Sequence, residues 1–428
     1  MARTLARLTD GSRITDYISL GVIAKVFPKS QVEDVLRRTG RASTRQRDLP
    51  AHVVVYYVIA LALYMQVSYR EVLRCLLEGV QWLKARTVEP RVAVKSSISE
   101  ARVRLGWEPV RQLHDEIVQP IATKATQGAW FRKWRLVSLD GSKLDIPDEA
   151  ENRAAFGMPG ASRGASAFPQ IRFVGLVENG THVIFGSRMG AIKVGESTLA
   201  KEVIPQLKPG MLCLADRGFV GFALWKRAKE TGADLVWRLR KDLVFPRGTE
   251  LEDGSYLSTI LPPRGARKAP RKAVRRAVVR KRKQIGIPVR IVEYTLDGIP
   301  DAESSYRVAT TILDPTQAPA KELAVLYHER WEIESAFDEL KTHLRGRQIT
   351  LRSKTPDLVR QEFYGLMMAH FAIRGLMHEA ALKGEVDPDR LSFVHAVRVI
   401  RRKMARFASL PPSGQAGLSR TGVAGTPG

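Results

Sequence analysis

The stretch Tyr327-His-Glu-Arg330-Trp-Glu-Ile-Glu334-Ser-Ala-Phe-Asp338-Glu-Leu-Lys341 contains neither proline nor glycine and is rich in good helix formers, which predicts a helix. At about 100° per residue, Tyr327, Arg330, Glu334 and Lys341 project at roughly 0°, 300°, 340° and 320°, one stripe about 60° wide. A phenol, a guanidinium, a carboxylate and an ammonium in one stripe do not suit a core. They suit a surface that holds a metal ion and a phosphate together. A helix laced with i,i+4 ion pairs carries the same residue types, so the rest of the chain has to decide. Asp338 falls at about 20° on the same stripe, so periodicity alone does not choose between it and Glu334.

Charge narrows the choice. Lys and Arg number 69 against 44 Asp and Glu, a net charge of +25, which argues for a polyanionic partner, nucleic acid before anionic membrane. The two cysteines, Cys75 and Cys213, lie far apart in apolar settings. They exclude a disulfide framework and a cysteine-based zinc site, and fit a reducing, cytoplasmic compartment. The eight histidines show no metal-ligand spacing; His328 and His343 read as surface helix residues. No secretory signal opens the chain, and the most apolar run, Val53 to Met65, falls short of the ~20 residues a membrane span needs. It reads as a buried helix.

In chain order, residues 1–125 form a mostly helical N-terminal domain by this reading. Helices are expected over Gln31–Arg38, from Pro50 through Met65, from a Ser68 cap to Leu77 with Gly79 past its end, and over Ala101–Leu105 behind a capping box at Ser97–Glu100. Its clustered Arg and Lys residues fit either a DNA-reading domain or an accessory helical cap with solvated charge. From Trp134 the period switches to two. Trp134–Leu139 alternates and is expected to end at Asp140-Gly-Ser. Ile171–Val177 and His182–Ser187 flank a hairpin turn at Asn179-Gly180. Met211–Ala215 is a short apolar strand ending at Asp216-Arg-Gly, followed by a helix over Phe222–Glu230 and a strand over Asp234–Arg240. Residues 242–320 read as a β-rich insertion holding an exposed basic loop, Arg264 to Lys283, with no acidic residue inside it. Amphipathic helices are expected over Pro356–Ala381 and Pro388–Phe407, with Met367, Met368, Phe371 and Leu376 in the core, and residues 408–428 form a disordered tail.

The chemistry converges on carboxylates. Asp140 and Asp216 are expected at the C-terminal ends of two strands, the edge where open α/β sheets bind ligands. A glutamate from a helix on the same sheet would complete a trio, and three mutually repelling carboxylates need a hard cation between them. Two such ions activate a nucleophile and stabilise the leaving oxygen of a phosphodiester.

Asp140-Gly-Ser, Asp216-Arg-Gly and the Y-x2-R-x3-E-x6-K spacing of Tyr327, Arg330, Glu334 and Lys341 resemble the DDE transposases of the insertion-sequence-four family. Residues from about 5 to 110 resemble the N-terminal domain found in part of that family, so the likeness covers nearly all the chain to about 405. It implies an α/β fold: a ribonuclease-H-like catalytic core over residues 126–407, interrupted by a β-rich insertion and preceded by the helical domain. It also implies that Asp140, Asp216 and Glu334 ligate two Mg²⁺, with Mn²⁺ able to substitute, and that Tyr327, Arg330 and Lys341 hold DNA phosphates. Arg217, Arg275, Arg276, Lys281 and Arg282 are further candidate DNA contacts. The implied reaction binds the element's terminal inverted repeats, cleaves a strand there and transfers it to target DNA, cut-and-paste transposition by a homodimer on paired double-stranded ends, with no membrane partner and a place at the nucleoid. Relatives use an insertion tryptophan at a DNA hairpin; here Val289–Pro315 offers Tyr294 and Tyr306 instead. A two-metal nuclease that cuts without joining, and a non-catalytic DNA-binding regulator or decayed copy, are the competing readings.

Overall fold

Strand β2, Trp134–Asp145, is the axis of the molecule. In the computed structural model, which describes residues 20–45, 49–65, 67–83, 93–160, 168–263, 286–296, 305–346 and 350–398, it pairs antiparallel on one edge and parallel on the other. On one side it pairs antiparallel with β3 (Gln170–Glu178), which pairs antiparallel with β4 (Val183–Ala191). On the other it pairs parallel with β5 (Met211–Ala215), and β5 with β6 (Asp234–Arg238). The short β1, Trp130–Phe131, caps the start of β2. The insertion adds β7 (Tyr256–Ile260), β8 (Ile287–Tyr294) and β9 (Tyr306–Thr310), and β9 pairs antiparallel with β6, so the insertion extends the same sheet. Its basic run, with Arg275, Arg276, Lys281 and Arg282, lies outside the described residues.

The N-terminal helices are α1 (Leu20–Val26), α2 (Lys29–Arg38), α3 (Ala51–Leu63), α4 (Tyr69–Leu83), α5 (Lys95–Leu105) and α6 (Glu108–Ile117). As its composition predicts, α3 is buried from Val53 to Leu63 on every face. Two punctuation signals mislead. Gly79 lies inside α4, and Ser97 lies inside α5, whose cap is Val94. Gly106 does stop α5, at φ 71°. Ser68 accepts a hydrogen bond from the Glu71 N–H at 3.2 Å, as an N-cap should.

After β2 come α7 (Ala150–Phe156), α8 (Glu196–Val203), α9 (Phe222–Lys229), α10 (Ala320–His328), α11 (Glu332–Asp338) and α12 (Pro356–Gly384). Helix α12 is buried along most of its length rather than amphipathic, with Met367, Met368 and Phe371 in the core and Leu376 packed against it. It lies across α3, where Gly365 lets the Val58 carbonyl oxygen approach to 2.6 Å from where a Cβ would stand. One continuous apolar core therefore joins the N-terminal helices, α12 and one face of the sheet. The opposite face carries a second cluster built from Leu136, Leu212, Leu214, Val236, Val308, Leu323, Leu326 and Tyr327. Strand β5 feeds both, with Leu212 and Leu214 to one side and Cys213 and Ala215 to the other, which is why its sequence is continuously apolar. Burial pushes the Cys213 thiol up to about 12 and leaves it inert.

Candidate active site at the strand ends

Asp140 does not end its strand. Strand β2 runs on through Gly141 and Ser142 to Asp145 because β3 continues beside it, pairing Gly141 with Val174 and Ser142 with Phe173. What ends is the parallel pairing. Its last registered pair is Leu139 with Ala215, so Asp140 and Asp216 are the next residues on two adjacent strands, about 5 Å apart in backbone spacing. Asp216 then leaves the sheet into a single turn over Arg217–Phe219, on which Arg217 is exposed.

The segment expected as one helix is four pieces. Helix α10 ends at His328, a tight 3₁₀ turn spans Glu329–Trp331, α11 follows, and a widened π-helical stretch occupies Glu339–Gly346. The cause is the sheet. Tyr327 packs in the cluster on one face, whereas Ile333, Ala336 and Phe337 pack in the core on the other. The chain must round the strand ends between them, and Arg330 sits at the crossing. The widened stretch begins at Glu339, which is buried and held by Arg374, His182 and His370.

Arg330 is buried to 9% exposure, not presented to solvent. Its Nη1 donates to Asp140 Oδ2 at 3.2 Å and its Nη2 to Glu334 Oε1 at 3.3 Å. The charge of Asp216 reaches it as well. Among the described residues the three carboxylates do not all lie within 4.8 Å of one another; the guanidinium bridges Asp140 and Glu334. Burial raises the Asp140 carboxyl to about 6, against an opposing backbone hydrogen bond from Gly141 and the field of Arg330. Tyr327 is buried and donates to the Ala215 carbonyl at 3.4 Å, and burial raises its phenol well above the ordinary range. Lys341 Nζ donates to Ser142 Oγ at 2.9 Å, and partial burial lowers its pKa. Each residue of Asp140-Gly-Ser is thus engaged. Gly141 makes room for Glu196 of α8, whose Cγ lies 2.7 Å from where a Cβ would be.

Glu196 was not visible as a site residue in the sequence, since nothing local marks a half-exposed carboxylate on a helix's first turn as facing Asp140. Asp338, the periodicity's rival to Glu334, accepts from Thr342 Oγ1 at 2.5 Å and sits 3.5 Å from His343 Nε2, yet it lines the same cleft as Glu334 and its charge reaches Lys341, whereas Glu334 is the one that Arg330 holds. His328 is not a plain surface residue; it is edge-on to Tyr294 and Tyr306, whose rings stack at 5.4 Å across β8 and β9. A cleft of about 530 Å³ opens beside Glu334, lined in part by Trp331, Ser335 and Ser392. The donor set at the strand ends fits a hard divalent cation: Asp140, Asp216, Glu334 and Glu196 outnumber Arg330 and Lys341, and all offer oxygen.

Residues 133–372 match the family described as the transposase DDE domain, and residues 17–115 match the insertion element 4 transposase N-terminal family. The chain is 28% identical over 386 residues to the transposase InsG for insertion sequence element IS4 of Escherichia coli (strain K12), covering 88% of this chain and 81% of that one. It is 24% identical over 222 residues to the putative transposase InsZ of the same strain, covering 52% and 71%. The fold and these matches define a DDE transposase, an enzyme that acts on DNA. Within that class the chain belongs to the IS4 family. The family uses a divalent metal, and among the described residues no helix is long and apolar enough to cross a membrane.

Proposed function

We propose that the chain binds the terminal inverted repeats of an insertion sequence, cleaves DNA there and transfers the cut strand to target DNA. The observation that carries this reading is the convergence of Asp140 and Glu334 on Arg330 at the point where Asp140 and Asp216 leave parallel pairing. The strand order β4-β3-β2-β5-β6, antiparallel then parallel, supports a ribonuclease-H-like core with the insertion placed after its last strand. In this reading Asp140, Asp216 and Glu334 hold two Mg²⁺, with Mn²⁺ as a substitute. When bound, the ions supply an activated hydroxyl nucleophile and charge stabilisation at the leaving oxygen.

The protein's own residues position the phosphodiester. The planar fork of Arg330 grips phosphate oxygens, and Lys341, held by Ser142, adds a point charge. Tyr327 is protonated at neutral pH, as a phenol ordinarily is, burial raises it further, and its hydroxyl can donate to a phosphate oxygen. Water attacks phosphorus and the bond to the 3′ oxygen breaks, leaving a 3′-hydroxyl; that hydroxyl then attacks a second phosphodiester and displaces its 3′ oxygen. The excess of 25 positive charges supports binding of two duplexes, element end and target, by a homodimer, with Arg217 and the basic insertion run as further contacts and the nucleoid as its place of action.

The test is cleavage of a labelled duplex carrying the element's own end, with Mg²⁺, comparing wild type, Glu334→Ala and Asp338→Ala. Nicking at the end by wild type and Asp338→Ala, but not by Glu334→Ala, is expected. Normal cutting by both variants would displace the site. Cutting without joining in a strand-transfer assay would make the chain a nuclease, and binding without cutting in either Mg²⁺ or Mn²⁺ would make it a DNA-binding regulator.

A further inference from the structure

A second group of metal-ligating side chains lies away from the strand ends. His182 on the β3–β4 turn, Glu332 at the start of α11 and Asp389 on the 3₁₀ turn Pro388–Arg390 bring one ligand atom each within 4.8 Å of one another. We propose that these three residues form a site for a first-row transition cation, with Zn²⁺ as its natural type, separate from the all-oxygen site at Asp140, Asp216 and Glu334.

The geometry carries the proposal. His182 Nε2 is 3.1 Å from Asp389 Oδ1 and 3.9 Å from Glu332 Oε2. Ligand bonds of about 2.0–2.2 Å place neighbouring donors roughly 3–3.5 Å apart around one ion, so a small closure of Glu332 completes three corners. His182 is 6% exposed, and its Nε2, facing the two carboxylates, makes no hydrogen bond. The backbone of His182 is held at φ 55°, a left-handed conformation unusual for a residue with a side chain, and the same turn ties down Glu332 through the Gly180 N–H. On the other side of the ring, Nδ1 stands 3.2 Å from Glu339 Oε1. Glu339 is fixed in turn by Arg374 and His370. A carboxylate behind a ligating imidazole is the usual orienting partner of a metal-bound histidine. Charge points the same way: the Arg374 guanidinium pairs with Glu339 and its field reaches Asp389, while Glu332 adds a third carboxylate near His182. Imidazole among the donors favours Zn²⁺ over Mg²⁺, so the two sites differ in the ion they select.

The same cluster closes without a metal if Nδ1 accepts from Arg374 and Nε2–H donates to Asp389. The experiment separates the two. Full-length protein carrying Asp140→Asn and Asp216→Asn, stripped with chelator, is dialysed against Zn²⁺ and its metal content measured; Co²⁺ is used in parallel for its visible absorption. One Zn²⁺ per chain, retained against excess Mg²⁺, is expected, with binding weakened at least tenfold by adding His182→Gln or Asp389→Asn. Asp389 is partly exposed, so its variant decides if His182→Gln fails to fold. No Zn²⁺ in the doubly substituted protein, or undiminished binding in Asp389→Asn, overturns the proposal. DNA cleavage plays no part in the readout, so this result is independent of the catalytic reading.

Discussion

Replacing Gly365 with alanine tests the packing on which the architecture rests. Exposed glycines inside helices normally gain about 1 kcal/mol on becoming alanine, because the unfolded chain loses freedom and the helix gains propensity. Gly365 is different. An added Cβ would lie 2.6 Å from the Val58 oxygen, 2.9 Å from Val58 Cγ1 and 3.1 Å from the Val58 carbonyl carbon. Ordinary contact begins near 3.4 Å, so relieving the first clash needs a separation of 3.4 − 2.6 = 0.8 Å between α3 and α12. The oxygen belongs to the backbone of a helix buried on every face and cannot rotate away. Overpacking of this kind costs about 1–3 kcal/mol beyond the propensity gain. Gly375 on the same helix is the control, since nothing stands within 4 Å of its Cβ position. Thermal and urea unfolding, followed by circular dichroism, should place Gly365→Ala below wild type by a few degrees and Gly375→Ala level with it or above. A Gly365→Ala protein as stable as Gly375→Ala would refute the close approach of the two helices.

Four further outcomes follow from the structure. Arg330→Ala should lower single-turnover cleavage by about 10²-fold, as loss of a preorganised donor does, and Arg330→Lys should restore little of it because an ammonium cannot span Asp140 and Glu334. At subsaturating metal, cleavage should rise with pH up to about 6 and then level, since a protonated Asp140 cannot ligate; saturating metal should flatten the profile. The sign for stability is opposite: the folded carboxyl holds its proton more tightly than the ordinary 3.8, so its contribution is fully present below 3.8 and lost as pH rises through about 6, which metal-free unfolding against pH will show. Gly180→Ala should lower the thermal midpoint by several degrees, because φ is 75° there and a Cβ would fall 2.4 Å from the Gln127 carbonyl oxygen.

Local signals served where local physics decides. Met211–Ala215 is read to the residue, because a short apolar run bounded by Pro209-Gly210 and Asp216 has few alternatives. The buried α3 and the Asn179-Gly180 turn are legible for similar reasons. Signals failed where a distant partner overrode them. Gly141 would end a strand on its own, but β3 carries it onward. Gly79 and Ser97 stay helical within α4 and α5. The periodicity of the four-residue motif around Arg330 assumes one straight helix and misses both the turn at Glu329–Trp331 and the widening at Glu339. Nor does any spacing relate Glu196 to Asp140, or His182 to Asp389; only the folded chain brings them together.

The shared interior of α3 and α12 also bears on how such enzymes diversify. Where two regions are joined by a loose tether, recombination can exchange one for a foreign counterpart and leave the other working. Here the residues that match the insertion element 4 N-terminal family and those that match the DDE domain fill one another's apolar volume, with a helix backbone lodged against Gly365. A transplanted N-terminal region would arrive with the wrong ridges for that groove. Exchange of the N-terminal region for one with a different α3 is therefore expected to cost stability unless α12 is changed to match around Gly365.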